Sequence, residues 1–204
     1  MSGRQAEAAR NDRLIIEAAR AVFLDDPNAP ISAVAERAGV GIGALYRRYA
    51  SKEDLLQQLA GDGLKQYLAV VERALASERD PRSAFVAFMQ GSLEAGAHSM
   101  TARFAGSFTP TEEMNRDGRR SYELTHQLLE RAKAAGALRP EIEVGDIAML
   151  FELLQSVRVK DEERTAELRR RYLALILEAL QLTSADELPG SAPGWAEIRA
   201  RYDG

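Results

Sequence analysis

The segment Ile31–Leu56, ISAVAERAGVGIGALYRRYASKEDLL, constrains this chain more than any other. Ile31, Val34, Ala35 and Ala38 recur at i, i+3, i+4 and i+7, the apolar stripe of a short helix. Gly39 follows, the residue type that accepts the positive φ of a helix C-terminus before a tight turn. Ile42, Leu45, Tyr46 and Tyr49 then repeat the same rhythm. A second helix therefore starts within about four residues, the turn length of a helix-turn-helix. Gly41, Gly43 and Ala44 open that helix with small side chains, which lets its end approach base edges in a major groove. From Arg37 to Lys52 there are four basic residues (Arg37, Arg47, Arg48, Lys52) and no acid. The whole chain carries 27 basic against 31 acidic residues, so this window opposes the global sign. Such a local field is what phosphate contact needs.

The segment resembles the N-terminal domain of the TetR family of bacterial transcriptional repressors. The match runs through Val34-Ala35-x-x-Ala38-Gly39-Val40, then Gly43-x-Leu45-Tyr46-x-x-Tyr49, then Ser51-Lys52-Glu53-Asp54-Leu55-Leu56. It is tight over roughly the first 60 residues, while the remainder matches in length and helical rhythm. The resemblance implies that Tyr46 and Lys52 touch DNA phosphates and that the aromatic at Tyr49 packs inward. This chain has Tyr49 where Phe is commoner, so its hydroxyl needs a partner or an edge position. It also has Arg47 and Arg48 where a His often stands, which alters the family's usual base-contact set. The expected DNA-contact residues are Ser32, Gly41, Ile42, Gly43, Ala44, Tyr46, Arg47, Arg48 and Lys52.

At 204 residues and 46% hydrophobic content one or two small domains are expected, with enough chain for a core. Cysteine is absent, which leaves no disulfide framework and suits a reducing cytoplasm. The N-terminus has no apolar leader, and no run approaches the ~18 apolar residues of a membrane span. Helical periodicity predicts a first helix over 8–24, with Arg4, Arg10 and Arg13 placed either as an arm toward DNA or as an untidy terminus. Pro30 reads as the first residue of the next helix. Ser51, with Asp54 three residues on, caps a long helix to about Ser77. Gly61 and Gly63 within it have two readings, a weakened hinge or a close packing contact. Further helices are expected from Asp80-Pro81 to Gly96 and from Thr109 to Ala135-Gly136, then over 144–159 and 161–182, with a short piece over 99–107. No stretch shows the two-residue alternation of a strand. The fold class is all-α: residues 1–57 as a three-helix DNA-binding domain, 58–183 as a ligand-binding and dimerisation bundle, and 184–204 as linker and tail.

The helices over 144–159 and 161–182 are apolar on nearly every side, through Ile147, Met149, Leu150, Phe151, Leu153 and Leu154, then Leu173, Leu175, Ile176, Leu177 and Leu180. Such helices bury two faces, and the second burial is most simply a twofold homodimer. A twofold dimer offers two recognition helices to a pseudo-palindromic operator in double-stranded DNA. The resemblance implies that this pair forms an intersubunit four-helix bundle. The charged stretch Arg158–Arg171, six bases and four acids, reads as a solvated helix start. After Leu182 the composition turns to linker, and Trp195, Ile198 and Tyr202 can form a short amphipathic turn. Docking of the only Trp is favoured over disorder.

Catalytic chemistry is thin. His98 and His126 are the only histidines and lack metal-site spacing, and the Gly39-x-Gly41-x-Gly43 cluster follows no strand. No cofactor, metal or catalytic residue is expected. The central helices concentrate the aromatic and methionine side chains, so Phe85, Phe88, Met89, Phe104, Phe108, Met114, Tyr122, His126 and Phe151 are candidate lining for a small, mostly apolar effector. His98, Arg103 and Gln155 are further candidates for orienting it. Aromatic stripes at helical spacing also build ordinary cores, and that reading stands beside the first. The functional expectation is a sequence-specific DNA-binding regulator, a repressor released from its operator by the effector. Two rivals are a ligand-binding helical dimer with weak or lost DNA affinity and an enzyme built on the bundle.

Overall fold

Short polar and glycine signals set several of the helix ends. The computed structural model describes residues 3–96, 106–181 and 188–200, and no strand occurs among them. The helices are α1 (Gly3–Asp25), α2 (Ile31–Ala38), α3 (Ile42–Arg48), α4 (Lys52–Leu75), α5 (Pro81–Ala95), α6 (Glu112–Ala134), α7 (Val144–Ser156), α8 (Glu162–Ala179) and α9 (Trp195–Ala200). Ser51 and Asp54 cap α4 reciprocally: Asp54 N–H donates to Ser51 Oγ at 3.0 Å and Ser51 N–H to Asp54 Oδ2 at 3.2 Å. Asp80 caps α5, accepting from Ser83 N–H at 3.0 Å, with Pro81 in the first turn where its missing N–H costs nothing. Gly96 closes α5 at φ 59°, a conformation that strains any residue with a Cβ.

Several local expectations change. Helix α1 starts at Gly3 rather than Ala8, so Arg4, Arg10 and Arg13 lie on a helix and not on an irregular arm. Pro30 precedes α2 as its cap residue, with φ −70° and ψ 153°, because its ring fixes φ equally well just outside the helix. Helix α4 runs unbroken through Gly61 and Gly63; Gly63 is buried, and a Cβ at Gly61 would reach Met114 Cγ at 4.0 Å. The helix is thus continuous at both glycines, and a Cβ at Gly61 fits at ordinary contact distance. The last two long helices end earlier than their apolar runs, at Ser156 and Ala179. The 99–107 piece falls almost wholly outside the described residues.

Two apolar clusters share α4 as an axle. The first joins Ile15, Ala19 and Phe23 of α1 with Ile31 and Val34 of α2, Leu45 of α3, Tyr49, and Leu55, Leu56, Leu59 and Ala60 of α4. Phe108 also belongs to it, so this core extends past residue 57 and takes a side chain from far along the chain. The second cluster joins Tyr67, Val70 and Val71 of α4, Phe85, Phe88 and Met89 of α5, Leu128 and Leu129 of α6, Ile147, Phe151 and Leu154 of α7, and Leu173 of α8. Two ion pairs, Arg120–Glu72 at 2.7 Å and Lys65–Glu113 at 2.9 Å, tie α6 to α4 on the surface.

Helices α7 and α8 keep apolar side chains on the outside. Leu153 is 63% exposed, Leu175 57% and Tyr172 43%. Leu173, by contrast, is buried within its own subunit at 3%. Among the described residues no helix is long and apolar enough to cross a membrane.

Candidate nucleic-acid interface and small-molecule cavity

The turn between α2 and α3 forms as its residues dictate. Gly39 takes φ 67°, and Val40 N–H returns to Ala35 C=O at 3.0 Å, closing α2 and redirecting the chain. Leu45 points inward and is fully buried. On the opposite side of α3, Ile42 and Tyr46 stand 44% and 49% exposed, one turn apart, beside exposed Gly41, Gly43 and Arg47. Ser32 and Arg37 of α2 are exposed as well, and Ala44 is half-buried. Nothing inside the molecule requires a small residue at 41 or 43. A Cβ at Gly41 would meet nothing within 4 Å, and one at Gly43 only Arg47 Nη1 at 3.7 Å. The bare backbone there faces outward, and a close approach from outside is what it permits.

Two of the basic residues are already engaged. Arg48 Nε donates to Asp12 Oδ1 of α1 at 2.8 Å, and its guanidinium carbon sits 5.7 Å from the centre of the Tyr49 ring. The hydrogen bond and charge of Asp12 hold the Arg48 pKa above its ordinary value. Tyr49 is buried; desolvation first, and the neighbouring Asp12 charge second, push its hydroxyl pKa up. Lys52 is half-buried and donates from Nζ to Pro27 C=O at 2.9 Å and to Ala29 C=O at 2.8 Å, with the Phe23 ring centre at 4.9 Å. An ammonium has three donors, so one remains for an outside acceptor. Lys52 thus pins the α1–α2 loop to the start of α4. Lys52→Ala leaves the carbonyl of buried Ala29 without its partner and is expected to destabilise the fold by about 1–3 kcal/mol. Chemical denaturation monitored by circular dichroism checks this; an unchanged midpoint would remove the bracing role.

The central aromatic residues separate into two groups. Phe85, Phe88, Met89 and Phe151 are buried core and are not among the described lining of the cavity below. Phe88 packs edge-on against Tyr67 at 5.6 Å and Phe151 at 6.3 Å, filling the space between α4, α5 and α7. For these four the ordinary core reading replaces the pocket expectation, since their helix faces converge on one another. His126 is exposed on the outer face of α6 and does not line the opening either. Gln155 gives its backbone carbonyl to Arg169 at 2.9 Å and lies away from the lining. Phe104, His98 and Arg103 lie outside the described residues.

Phe108 and Tyr122 do face a cavity, of about 160 Å³, between α4, α6, α7 and the tail helix α9. Leu64, Tyr67, Met114, Val144, Ala148, Trp195 and Ile198 supply apolar wall, while Asn115, Ser121, Thr125, Glu152 and Arg199 supply polar groups. Thr125 Oγ1 donates to Ser121 C=O at 2.7 Å, so the 2.7 Å contact with Tyr67 has the phenol as donor. Burial pushes the Tyr67 pKa up, which keeps that donor protonated. Leu64, Tyr67 and Trp195 were not among the residues expected here, whereas Met114 was. The signal that marks the site in the sequence is the small-residue stripe Gly118, Ser121 and Thr125 on α6, whose short side chains leave room where a core helix would carry bulk.

The cavity and the first core meet at Phe108 and at Met114, which packs against that core from the cavity side. Phe108 lines the cavity and is buried in the N-terminal cluster, and the next residue is clamped to α4. Thr109 N–H donates to Glu53 Oε1 at 2.9 Å, and Gln57 Nε2 donates to Thr109 C=O at 2.8 Å. A second tie runs from the α7–α8 connection, where Arg158 donates to Leu24 C=O and lies 3.5 Å from Asp25 Oδ1 at the end of α1. Among the described residues, no group of three or more His, Asp or Glu side chains is placed to hold a metal ion.

Comparison with known proteins agrees with this layout. The model of the N-terminal domain of bacterial regulatory proteins of the tetR family matches residues 15–59. The model of the C-terminal domain of SbtR-like transcriptional regulators matches residues 80–182. The solved structure of the regulator PfmR from Thermus thermophilus is 24% identical, with a TM-score of 0.58 over 84% of this chain and 100% of its own. LfrR from Mycobacterium smegmatis, solved in complex with proflavine, is 20% identical, with a TM-score of 0.59 over 88% and 99%. The ketosteroid transcriptional regulator KstR2 of Mycobacterium tuberculosis is 18% identical, with a TM-score of 0.58 over 89% and 96%. At these identities the structures share the fold. No curated protein matches the chain.

Proposed function

The chain belongs to the TetR family of bacterial transcriptional regulators, and from that membership we propose that it is a cytoplasmic repressor, a homodimer whose paired α3 helices read a pseudo-palindromic operator and let go when a small apolar effector fills the α4–α6–α7 cavity. The observation that carries the DNA-contact assignment is the outward face of α3, where Ile42, Gly43, Tyr46 and Arg47 are exposed over backbone that nothing internal keeps bare. Major-groove entry by a helix end needs such a face. Arg47, exposed and next to Gly43, is the side chain freest to reach a base edge, and Arg48 is partly committed to Asp12. Tyr46, Ser32 and the remaining Lys52 donor are assigned to phosphates.

For effector release, Phe108 supports a direct route, since a ligand in the cavity touches a side chain of the N-terminal core. The ligand need only prefer the conformation that does not fit DNA, and a coupling of about 1–3 kcal/mol gives a 5–150-fold response. That the similar LfrR was solved with proflavine supports a small-molecule site on this fold.

The test is selection of bound genomic fragments by the purified protein, followed by variants on the selected site. Arg47→Ala is expected to cost about 1–3 kcal/mol and relax specificity at one operator position. Lys52→Ala weakens all sequences alike and lowers the salt slope by about one unit. If Arg47→Ala weakens every sequence equally, Arg47 is a phosphate contact. If no genomic fragment is retained, the protein is a ligand-binding dimer without a DNA role.

A further inference from the structure

The tail helix α9 covers the cavity in a way its own sequence cannot secure. A six-residue helix is far below the ~12–15 residues at which isolated helices become even marginal, and none of its residues is fully buried. Gly194 N–H donating to Glu197 Oε2 at 2.7 Å caps its start, but placement depends on what it leans on. It leans on two glycines. A Cβ at Gly145, in the first turn of α7, would lie 1.9 Å from Pro193 O and 2.9 Å from Pro193 C. Those are backbone atoms, which cannot swing aside as a side-chain end can. A Cβ at Gly118 would lie 3.8 Å from Trp195 Cη2, and the Trp195 ring sits 5.0 Å from Tyr122. Trp195 and Ile198 then form the outer wall of the cavity.

We propose that residues 188–200 are a flap whose docking is coupled to ligand binding, and that the site behind it takes a molecule with a single aromatic ring. The proposal rests on the effector reading above and adds the wall and the ligand class to it. Among the described residues the ring-bearing walls are Tyr67, Phe108, Tyr122 and Trp195, which favour an aromatic occupant through edge and offset contacts. With the flap docked the space is about 160 Å³, close to the roughly 150 Å³ of an apolar cavity that holds benzene. A bulkier ligand has to project from the opening or displace α9. Because ligand and flap bury surface on each other, each strengthens the other's docking by the same factor.

Trp195 is the only tryptophan, so its fluorescence reports the flap without a label. The probe is benzyl alcohol, a neutral single ring, with cyclohexylmethanol as the non-aromatic control; binding is followed by calorimetry and flap closure by acrylamide quenching of Trp195. In the natural protein benzyl alcohol is expected to bind better than the control and to shield Trp195 saturably. Gly145→Val should expose Trp195 and weaken benzyl alcohol by about tenfold or more. Ile198→Asp, on the tail and outside both cores, should do the same if Gly145→Val disturbs α7. Benzyl alcohol binding equally well in both variants would overturn the flap and leave the effector site standing. No binding to the natural protein, while the variants still free Trp195, would overturn the aromatic effector reading and reduce the tail to packing.

Discussion

Leu175→Asp is expected to leave each subunit folded, convert the dimer to a monomer and weaken operator binding by about 10²–10⁴-fold. Leu175 stands 57% exposed on α8, with Tyr172 at 43% on the same helix and Leu153 at 63% on α7. Burying such a side chain fully is worth about 1.5–3 kcal/mol, and a twofold axis uses every contact twice. One substitution therefore places two carboxylates in the interface. The loss of DNA affinity follows because the second recognition helix no longer binds as part of the same molecule. Leu173→Asp is the contrasting control. Leu173 is 3% exposed inside its own subunit, so its carboxylate would disrupt the fold rather than the pairing alone. Sedimentation velocity, thermal melts and gel shifts on the selected operator separate the two. A Leu175→Asp protein that still sediments as a dimer would move the interface off this face, and a monomeric natural protein at micromolar concentration would remove it altogether.

Leu173 and Leu175 also show where sequence reading stops. They lie about 200° apart on a helix whose run Leu173-Ala174-Leu175-Ile176-Leu177 is apolar all round, so periodicity alone does not say which side faces home. The same limit applies in the middle of the chain. The rhythm of Phe85, Phe88 and Phe151 marks buried faces, but whether such faces meet each other or an opening depends on neighbours more than 60 residues away. What was legible is local. The Gly39 turn, the Ser51–Asp54 box, Asp80-Pro81 and Gly96 each act through contacts within a few residues, and each appears as the sequence predicts. The long-range ties were hidden: Arg48 to Asp12 across 36 positions, Thr109 to Glu53 across 56, Arg158 to Leu24 across 134. Gly145 is another such case, since its partner is the Pro193 backbone 48 positions further on.

Phe88→Ala is expected to lower stability by about 3–5 kcal/mol, the range for emptying a fully buried aromatic site. Phe88 has no exposed surface and touches three rings, with Tyr67 at 5.6 Å, Phe85 at 6.3 Å and Phe151 at 6.3 Å. These partners come from α4, α5 and α7, so no single helix can shift to fill the void without opening another contact. For a chain of this size each kcal/mol moves the melting temperature by about 2–4 °C, which puts the fall at roughly 6–20 °C. Tyr122→Ala removes a ring of comparable size from the cavity wall, where it is only half-buried, and its cost should fall on effector binding and on Trp195 docking instead. The pair distinguishes core from cavity by experiment. A Phe88→Ala protein that melts within about 2 °C of the natural one but loses benzyl alcohol binding would return Phe88 to the effector site and displace the core reading of α5.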